Sequence, residues 1–420
     1  MMTGQYDDRY RLEPQLRPAG SDADRAALME SRQRQLMADI PVRPSNIGWF
    51  EAFLAKPAIP EGAKAVGYFC QVIPLEIICA FGAVPLRIDC GNSAYVQPGE
   101  ELLSADVCPL AKASFAQALS ADSTAGKCAC LVLPSSCDAK RKLGEVLADF
   151  RPTFTLNLPP EQDYARYGDW AAGELERMAE FFAQHLGAKL SSSALLSAVR
   201  QSQRASVLIR EILTLRSASP AAMSSRDLFA IVQSSFNGAP SKEWLQNVER
   251  VRDEVAAYRP PREVKRPRVI ITGAPLIWPN FKVLNLLEES GAYVVGDTIC
   301  TGSQSLYDPP TFHETSRKAL MRALAQRYIF ASPCPCFVSQ GTRMSRILDL
   351  VEENKADGVV HYGLRLCQLF DMEVYRLSRL LKERNIPFLN VHTDYSPEDS
   401  EQLRIRVEAF VETLHGRAAK

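Results

Sequence analysis

The sequence lacks the features that would assign the protein to a membrane or to a nucleic acid. Its lysines and arginines equal its aspartates and glutamates at 49 each, so no overall field attracts an anionic polymer or surface. No apolar run reaches the roughly 18 residues of a membrane span, and the polar start MMTGQYDD has no signal-peptide core. We therefore expect a soluble, cytoplasmic protein that binds neither nucleic acid nor membrane.

Motifs of several common sites are also absent. The sequence contains no G-x-G-x-x-G and no G-x-x-x-x-G-K-S/T, which argues against nucleotide binding, and no G-x-S-x-G nucleophile elbow. No C-x-x-C pair occurs, so the zinc-ribbon and bacterial ferredoxin patterns are missing. The five histidines are scattered, which argues against a mononuclear histidine and carboxylate metal site.

The chain does contain eleven cysteines. In a reducing cytoplasm, thiols are more often free, metal-bound or catalytic than bridged, and an odd count favours the same interpretation. Their function therefore depends on where the fold places them.

Short apolar runs alternate with amphipathic helices in two parts of the chain, which is typical of parallel, doubly wound sheets. The predicted strands are 65–70, 84–88, 130–133 and 153–156 in the first part and 269–272, 293–296, 358–361 and 388–392 in the second. The predicted helices are 22–37, 48–54, 74–81, 138–149, 163–186, 192–213, 225–233, 242–258, 281–290, 344–355, 371–384 and 401–414. The predicted fold class is α/β, with two Rossmann- or flavodoxin-like lobes and a helical insert.

This pattern also predicts the domain organisation. An N-terminal arm with helices covers 1–60, the first α/β lobe 61–160, a helical region 161–262 and the second α/β lobe 263–420. The proline-rich segment RPPREVKRP (259–267) links the last two.

Seven cysteines lie where a predicted strand ends or a helix begins. In open α/β sheets the reactive crevice lies at the carboxyl ends of the strands, so the fold would gather these thiols. Position alone therefore favours a shared ligand role, and iron–sulfur chemistry is the hypothesis. The seven are Cys70, Cys108, Cys137, Cys300, Cys334, Cys336 and Cys367.

The alternative is that a cysteine is simply a small buried hydrophobe. We assign Cys79, on the apolar face of PLEIICAF, and Cys130, inside a strand, to that class, and favour it for Cys90 and Cys128. Cys137 directly precedes a predicted helix, whose dipole is expected to lower the pKa of this thiol.

Several segments resemble the 2-hydroxyacyl-CoA dehydratase D-component family, which includes benzoyl-CoA reductase subunits. The resemblance rests on GYFCQVIPLEIICAFGAVPLRIDCG (67–91), DVCPLAKASF (106–115), LPSSCDAKRKL (133–143), ITGAPL (271–276), DTICTG (297–302), PCPCFV (333–338), DGVVHYGLRLCQLFDME (357–373) and TDYS followed by EQLRIRVEAF (393–410). It covers the chain from about residue 65 to the C-terminus.

Within the family, the additional cysteines resemble those of the double-cubane cluster proteins. This resemblance implies an [8Fe–9S] cluster, a low-potential reductase working as a homodimer, and a partner iron–sulfur ATPase that supplies electrons. Cys108, Cys137 and Cys367 match the cysteines shared with dehydratase subunits. Cys70, Cys300 and Cys336 (or Cys334) match the additional set.

Two other functions remain open. One is a subunit of a radical 2-hydroxyacyl-CoA dehydratase or benzoyl-CoA reductase with a single [4Fe–4S] cluster; the other is a non-catalytic electron-transfer protein. Four basic residues beside the expected ligands, Lys112, Lys140, Arg141 and Arg365, could either offset cluster charge or form a solvated face.

Overall fold

The computed structural model describes residues 20–55, 57, 59–120, 123, 125–238, 240–260, 265–338 and 341–418, without the side chains of 20–23 and 418. Residues 1–19 of the predicted N-terminal arm and residues 261–264 of the predicted proline-rich link therefore lie outside the described residues. No described helix has the length and apolar character required to span a bilayer.

Two four-stranded sheets form the framework, and every strand pairing in them is parallel. The strand orders are β2-β1-β3-β4 and β6-β5-β7-β8, so the two lobes have the same topology. The strands are β1 Ala65–Tyr68, β2 Val84–Arg87, β3 Cys130–Pro134, β4 Thr153–Leu156, β5 Arg268–Gly273, β6 Tyr293–Asp297, β7 Gly358–Leu364 and β8 Phe388–Thr393. The predicted α/β class with two parallel-sheet lobes is confirmed.

Sixteen α-helices surround the sheets within the described residues. Those of the first half are α1 Gly20–Ala38, α2 Ile47–Ala55, α3 Leu75–Ala80, α4 Val96–Glu100, α5 Pro109–Leu119, α6 Asp138–Ala148, α7 Tyr164–Leu186 and α8 Ser192–Ala218. Those of the second half are α9 Ser225–Ser234, α10 Lys242–Ala257, α11 Lys282–Glu289, α12 Gln304–Tyr307, α13 Arg317–Ala325, α14 Gly341–Glu353, α15 Gln368–Glu383 and α16 Ser400–Ala418.

Both sheets are covered on both faces, which explains why their central strands are almost wholly apolar. Val66 and Val132 face a core shared with the helices α7–α10, whereas Leu131 and Leu133 pack on the opposite side. The second sheet is enclosed in the same way by two separate cores.

The order of the strands creates a switch point in each lobe. From β1 the chain passes to β2 on one side, and β3 then pairs on the other side of β1. The second lobe repeats this arrangement at β5 and β7. Connections leaving the carboxyl ends at such a point diverge, which opens a crevice there.

Several predicted boundaries of strands and helices were wrong. The first strand ends at Tyr68 rather than Cys70, and Pro74 caps α3 rather than belonging to it. The fifteenth helix begins at Gln368 instead of 371. The helices α5 (PLAKASFAQAL) and α13 (RKALMRALA) were not predicted.

Candidate cluster-binding site

The two lobes touch each other at the carboxyl ends of their strands. A methyl group added at Gly91, just beyond β2, would lie 2.0 Å from the carbonyl oxygen of Ile277 in the second lobe. Gln233 of α9, in the helical region, also donates its amide to the carbonyls of Leu276 (2.7 Å) and Thr301 (3.1 Å) in the second lobe. This close approach brings the two crevices together.

Three of the predicted cysteines occupy the position just before a helix. Cys108, Cys137 and Cys367 are the N-cap residues of α5, α6 and α15, where backbone N–H groups have no partner within the helix. The backbone N–H of Lys140 donates to the Cys137 sulfur at 3.4 Å. Burial raises the pKa of Cys108, and the N–H groups at the start of α5 act in the opposite direction. All three sulfurs are therefore next to groups that stabilise negative charge.

Cys70 follows β1 in an unusual backbone conformation. Its φ angle is 68°, in the left-handed region that few residues other than glycine adopt. Its N–H donates at 2.7 Å to the buried Asp89 carboxylate, which follows the neighbouring strand β2. This hydrogen bond holds Cys70 at the mouth of the switch point.

The remaining three cysteines belong to loops of the second lobe. Cys300 follows β6, where the Asp297 carboxylate accepts the N–H groups of Ile299 (3.0 Å) and Ser303 (3.2 Å). Cys334 and Cys336 lie in the loop after α13 and the π-helical turn Gln326–Phe330. Gln162 fixes that loop by donating to the Ser332 carbonyl at 2.7 Å.

A buried arginine connects these second-lobe loops. The Arg343 guanidinium donates to the carbonyls of Thr298 (3.4 Å) and Pro333 (3.2 Å), which precede Cys300 and Cys334 in the chain. It also pairs with Glu373 of α15 at 2.5 Å, and both side chains are almost inaccessible. One cation therefore fixes the backbone beside two of the predicted cysteines, Cys300 and Cys334.

The crevice thiols influence one another's pKa values. Burial raises the pKa of Cys367 to about 12, and charge on Cys108 and Cys137 acts in the same direction. Burial also raises the pKa of Cys300, with further effects from Cys70 and Cys334.

The Cys334–Cys336 pair joins the two groups of thiols. A hydrogen bond between their sulfurs lowers the pKa of Cys334 and raises that of Cys336, where charge on Cys70 and Cys137 acts in the same direction. Thiols from both lobes thus form one group.

The N-terminus of α6 acts on the Cys137 pKa in the expected direction, but the net shift of that pKa is upwards. Burial raises the pKa of this thiol, and Lys140 and its N–H only partly offset the increase. Desolvation of the thiolate thus outweighs the stabilisation by the helix terminus.

Of the four basic residues singled out in the sequence, Lys140 is the one buried beside the crevice thiols. Its side chain is 12% exposed and its ammonium lies 3.2 Å from Asp89. Lys112 is buried and paired with Glu100 at 2.6 Å, whereas Arg141 and Arg365 are 62% and 53% exposed. The solvated-face alternative therefore fits Arg141 and Arg365.

The other four cysteines lie elsewhere in the first lobe. Cys90, Cys128 and Cys130 are at most 4% exposed, and Cys79 lies half-buried in α3. Burial raises the pKa of Cys79, Cys90, Cys128 and Cys130 to about 12. These surroundings fit the small-hydrophobe interpretation.

The donor set distinguishes between kinds of metal centre. Among the described residues, no group of three or more histidine, cysteine or acidic side chains is arranged to hold a single ion. A cubane spreads its thiolate ligands over several iron atoms, so its sulfurs need not converge on one point. The seven thiols, the helix N-termini and the buried cations therefore fit an iron–sulfur cluster better than a mononuclear site.

A cavity of about 630 Å³ adjoins one end of this site. It reaches Pro109 and Lys112 beside Cys108, and Arg365 and Leu366 beside Cys367. The buried Tyr395 also lines it. The cavity is therefore bounded by residues that neighbour Cys108 and Cys367 in the chain.

Sequence reasoning missed the charged residues behind the thiols: Arg87, Asp89, Arg343 and Glu373. A signal was available for the first two, because both stand within LRIDC at the end of β2, where an α/β sheet opens. Nothing local in the sequence of α14 marks Arg343, whose partners lie 10 to 71 residues away in the chain.

The fold and the thiol group define a two-lobed α/β protein with a cysteine-lined crevice between its sheets. The profile of the 2-hydroxyglutaryl-CoA dehydratase D-component family matches residues 70–414. The chain belongs to this family.

Curated relatives cover most of the chain. A protein of Escherichia coli K12 named for a dehydratase subunit, YjiM, is 30% identical over 84% of this chain and 92% of its own length. A benzoyl-CoA reductase subunit of Thauera aromatica is 23% identical over 84% and 91%, respectively. The (R)-phenyllactyl-CoA dehydratase beta subunit of Clostridium sporogenes is 22% identical over 86% and 95%.

Proposed function

We propose that the protein is a low-potential iron–sulfur reductase in which the two lobes hold a double-cubane [8Fe–9S] cluster. The observation that carries this proposal is the convergence of seven thiols from two separate sheets. A single cubane needs three or four thiolates, which would leave three or more crevice thiols without a role. The proposed ligands are Cys70, Cys108, Cys137, Cys300, Cys336 and Cys367, with Cys334 as the alternative to Cys336.

The chain's own residues would prepare the crevice for such a group. Cys108, Cys137 and Cys367 occupy the N-cap positions of α5, α6 and α15, and the backbone N–H of Lys140 donates to the Cys137 sulfur. The Lys140 side chain supplies a buried positive charge. Burial acts in the other direction, because a low-dielectric site disfavours additional negative charge. When bound, the cluster would supply electrons at low potential.

A partner must then deliver electrons of sufficient energy. We infer an iron–sulfur protein that couples ATP hydrolysis to electron transfer, and a homodimer as the working form. The reducing cytoplasm, which keeps thiols unbridged, is the proposed location. The divisions near residues 60, 160 and 262 are the proposed domain boundaries.

A second function is favoured by the relatives' names. Two of them are named as subunits of enzymes acting on CoA esters, a phenyllactyl-CoA dehydratase and a benzoyl-CoA reductase. This chain would then be one subunit of a heteromeric enzyme with one [4Fe–4S] cluster. In that case the additional cysteines would not bind iron.

Iron and sulfide analysis after anaerobic purification separates the two functions. The double cubane predicts about eight iron atoms per chain and the single cubane about four. Turnover is then measured with the ATP-hydrolysing partner, with a CoA thioester in one assay and a small reducible molecule such as acetylene, azide or hydrazine in another. Four iron atoms together with turnover of the thioester alone would overturn the first proposal in favour of the second.

A further inference from the structure

The centre of the crevice holds two buried cations that share one carboxylate. We propose that Lys140, supported by Arg87 and Asp89, is a positioned positive charge that raises the reduction potential of the group held by the thiols. This inference rests on the proposed function, because it concerns the cluster assigned to this site. None of the three residues is itself a proposed ligand.

The geometry leaves this trio with a net positive charge. Asp89 accepts from Lys140 at 3.2 Å through one carboxylate oxygen and from Arg87 at 2.5 Å through the other. The side chains of Lys140, Arg87 and Asp89 are 12%, 6% and 1% exposed, so water screens them poorly. Two cations against one anion leave one uncompensated positive charge in the crevice.

Lys140 is placed to act on most of the site. Its charge reaches five of the seven thiols, contributed by both lobes: Cys70, Cys108, Cys137, Cys300 and Cys334. Arg87 reaches Cys70 and Cys300, and its guanidinium is held 4.9 Å from the Phe236 ring centre. Lys112 differs, because its ion pair with Glu100 is one to one.

The sign of the effect follows from Coulomb's law. Reduction adds an electron to a centre that is already negative, so a nearby positive charge stabilises the reduced state more than the oxidised state. Removal of the Lys140 charge should lower the potential, and removal of the Asp89 charge should raise it. A residue that only maintained the fold would not produce opposite signs.

The test compares Lys140→Met with Arg141→Met. The two residues are adjacent and the charge change is the same, but the Arg141 side chain is 62% exposed and therefore screened. The midpoint potential is measured by anaerobic redox titration followed by electron paramagnetic resonance, on samples of equal iron content. Lys140→Met should shift the reduction equilibrium at least tenfold, about 59 mV for a one-electron couple, towards the oxidised state. Arg141→Met should shift it much less.

Two further variants separate charge from damage to the fold. Lys140→Arg keeps the charge and should return the potential close to that of the unmodified protein. Asp89→Asn should shift the potential upwards. The inference is wrong if Lys140→Met and Arg141→Met behave alike, or if Lys140→Met and Asp89→Asn move the potential in the same direction.

A final measurement does not depend on the cluster. In reduced apoprotein, local positive charge accelerates alkylation by anionic iodoacetate relative to neutral iodoacetamide, and mass spectrometry reads this ratio at each cysteine. The ratio at Cys70 and Cys137 should fall severalfold in Lys140→Met and not in Arg141→Met. If the ratio falls as expected but the purified protein contains no iron, the proposed function is contradicted and the positive charge assigned to Lys140 still stands. An unchanged ratio would refute the assignment itself.

Discussion

The first lobe contains two groups of cysteines in very different surroundings. Cys70, Cys108 and Cys137 lie at the carboxyl edge of its sheet, beside helix N-termini, buried cations and the thiols of the second lobe. Cys79, Cys128 and Cys130 lie in or against the packed layers of the same lobe, and Cys90 packs in an apolar cluster that includes strands of the second sheet. The two groups therefore differ in their surroundings although the residue type is the same.

The second lobe adds a simpler case. All four of its cysteines, Cys300, Cys334, Cys336 and Cys367, belong to the crevice group, and the buried Arg343 fixes the backbone beside Cys300 and Cys334. Each lobe thus has a charged residue behind its thiols, Asp89 in the first and Arg343 in the second. The crevice cysteines therefore differ from the core cysteines in having buried charged residues beside them.

The largest effect is expected from removal of a shared crevice thiol. Cys137→Ser and Cys367→Ser should each lose most of the bound iron and the visible absorbance, because a hydroxyl is a much weaker iron ligand than a thiolate. Iron analysis of anaerobically purified protein is the measurement, with circular dichroism as the control for folding. Retention of full iron content in either variant would remove that residue from the site.

Substitution of Cys334 and Cys336, in the PCPCFV loop, tests which of these two crevice thiols binds iron. We expect Cys336→Ser to lower the iron content more than Cys334→Ser, because Cys336 is the proposed sixth ligand and Cys334 is its alternative. Both variants retain the loop's prolines, so the loop is equally restrained in each. The reverse order would exchange the roles of the two residues, and equal losses would mean that both sulfurs bind iron.

Arg343 tests the supporting shell. Arg343→Met leaves the buried Glu373 without its partner, and loss of one member of a buried pair costs about 3–5 kcal/mol. Denaturant unfolding of the apoprotein should show this loss. The double variant Arg343→Met, Glu373→Leu should recover much of it, since replacement of both charges by hydrophobic groups is often close to neutral.

Recovery of stability without recovery of iron binding would show that Arg343 positions the loops of Cys300 and Cys334. Recovery of both properties would limit its role to compensation of the Glu373 charge.

The smallest effect is expected at the core cysteines. Cys79→Ser should retain its iron, and its stability should change little because a helical serine hydroxyl can donate to the carbonyl four residues earlier. The same substitution as in Cys137→Ser makes this a matched control. Loss of iron from Cys79→Ser combined with its retention in Cys137→Ser would invert the assignment of the two groups.

The sequence was sufficient to predict the alternation of strands and helices and the position of Cys137 before α6. Both are local properties, set by apolar periodicity and by the short distance between a strand end and the next helix. The start of α5 was missed, although Pro109 directly follows Cys108 and proline is common in a first helical turn. That helix gives Cys108 its N-cap position.

The charged shell was not predictable in the same way. Lys140 and Asp89 are separated by 51 residues, and their contact depends on the packing of α6 beside the end of β2. The net pKa shift of Cys137 was not predicted for a related reason, because burial of the thiol depends on the tertiary packing around it. The positions of these charged residues and the burial of Cys137 therefore depend on long-range packing, which a local sequence pattern does not reveal.

The most direct test of the account is a crystal structure from anaerobically grown crystals, with anomalous data collected at the iron edge. The account predicts iron peaks between the two sheets, bounded by the sulfurs of Cys137 and Cys367 and adjacent to Lys140. A well-determined structure with those sulfurs separated by hydrocarbon, and with iron absent or bound elsewhere, would contradict it.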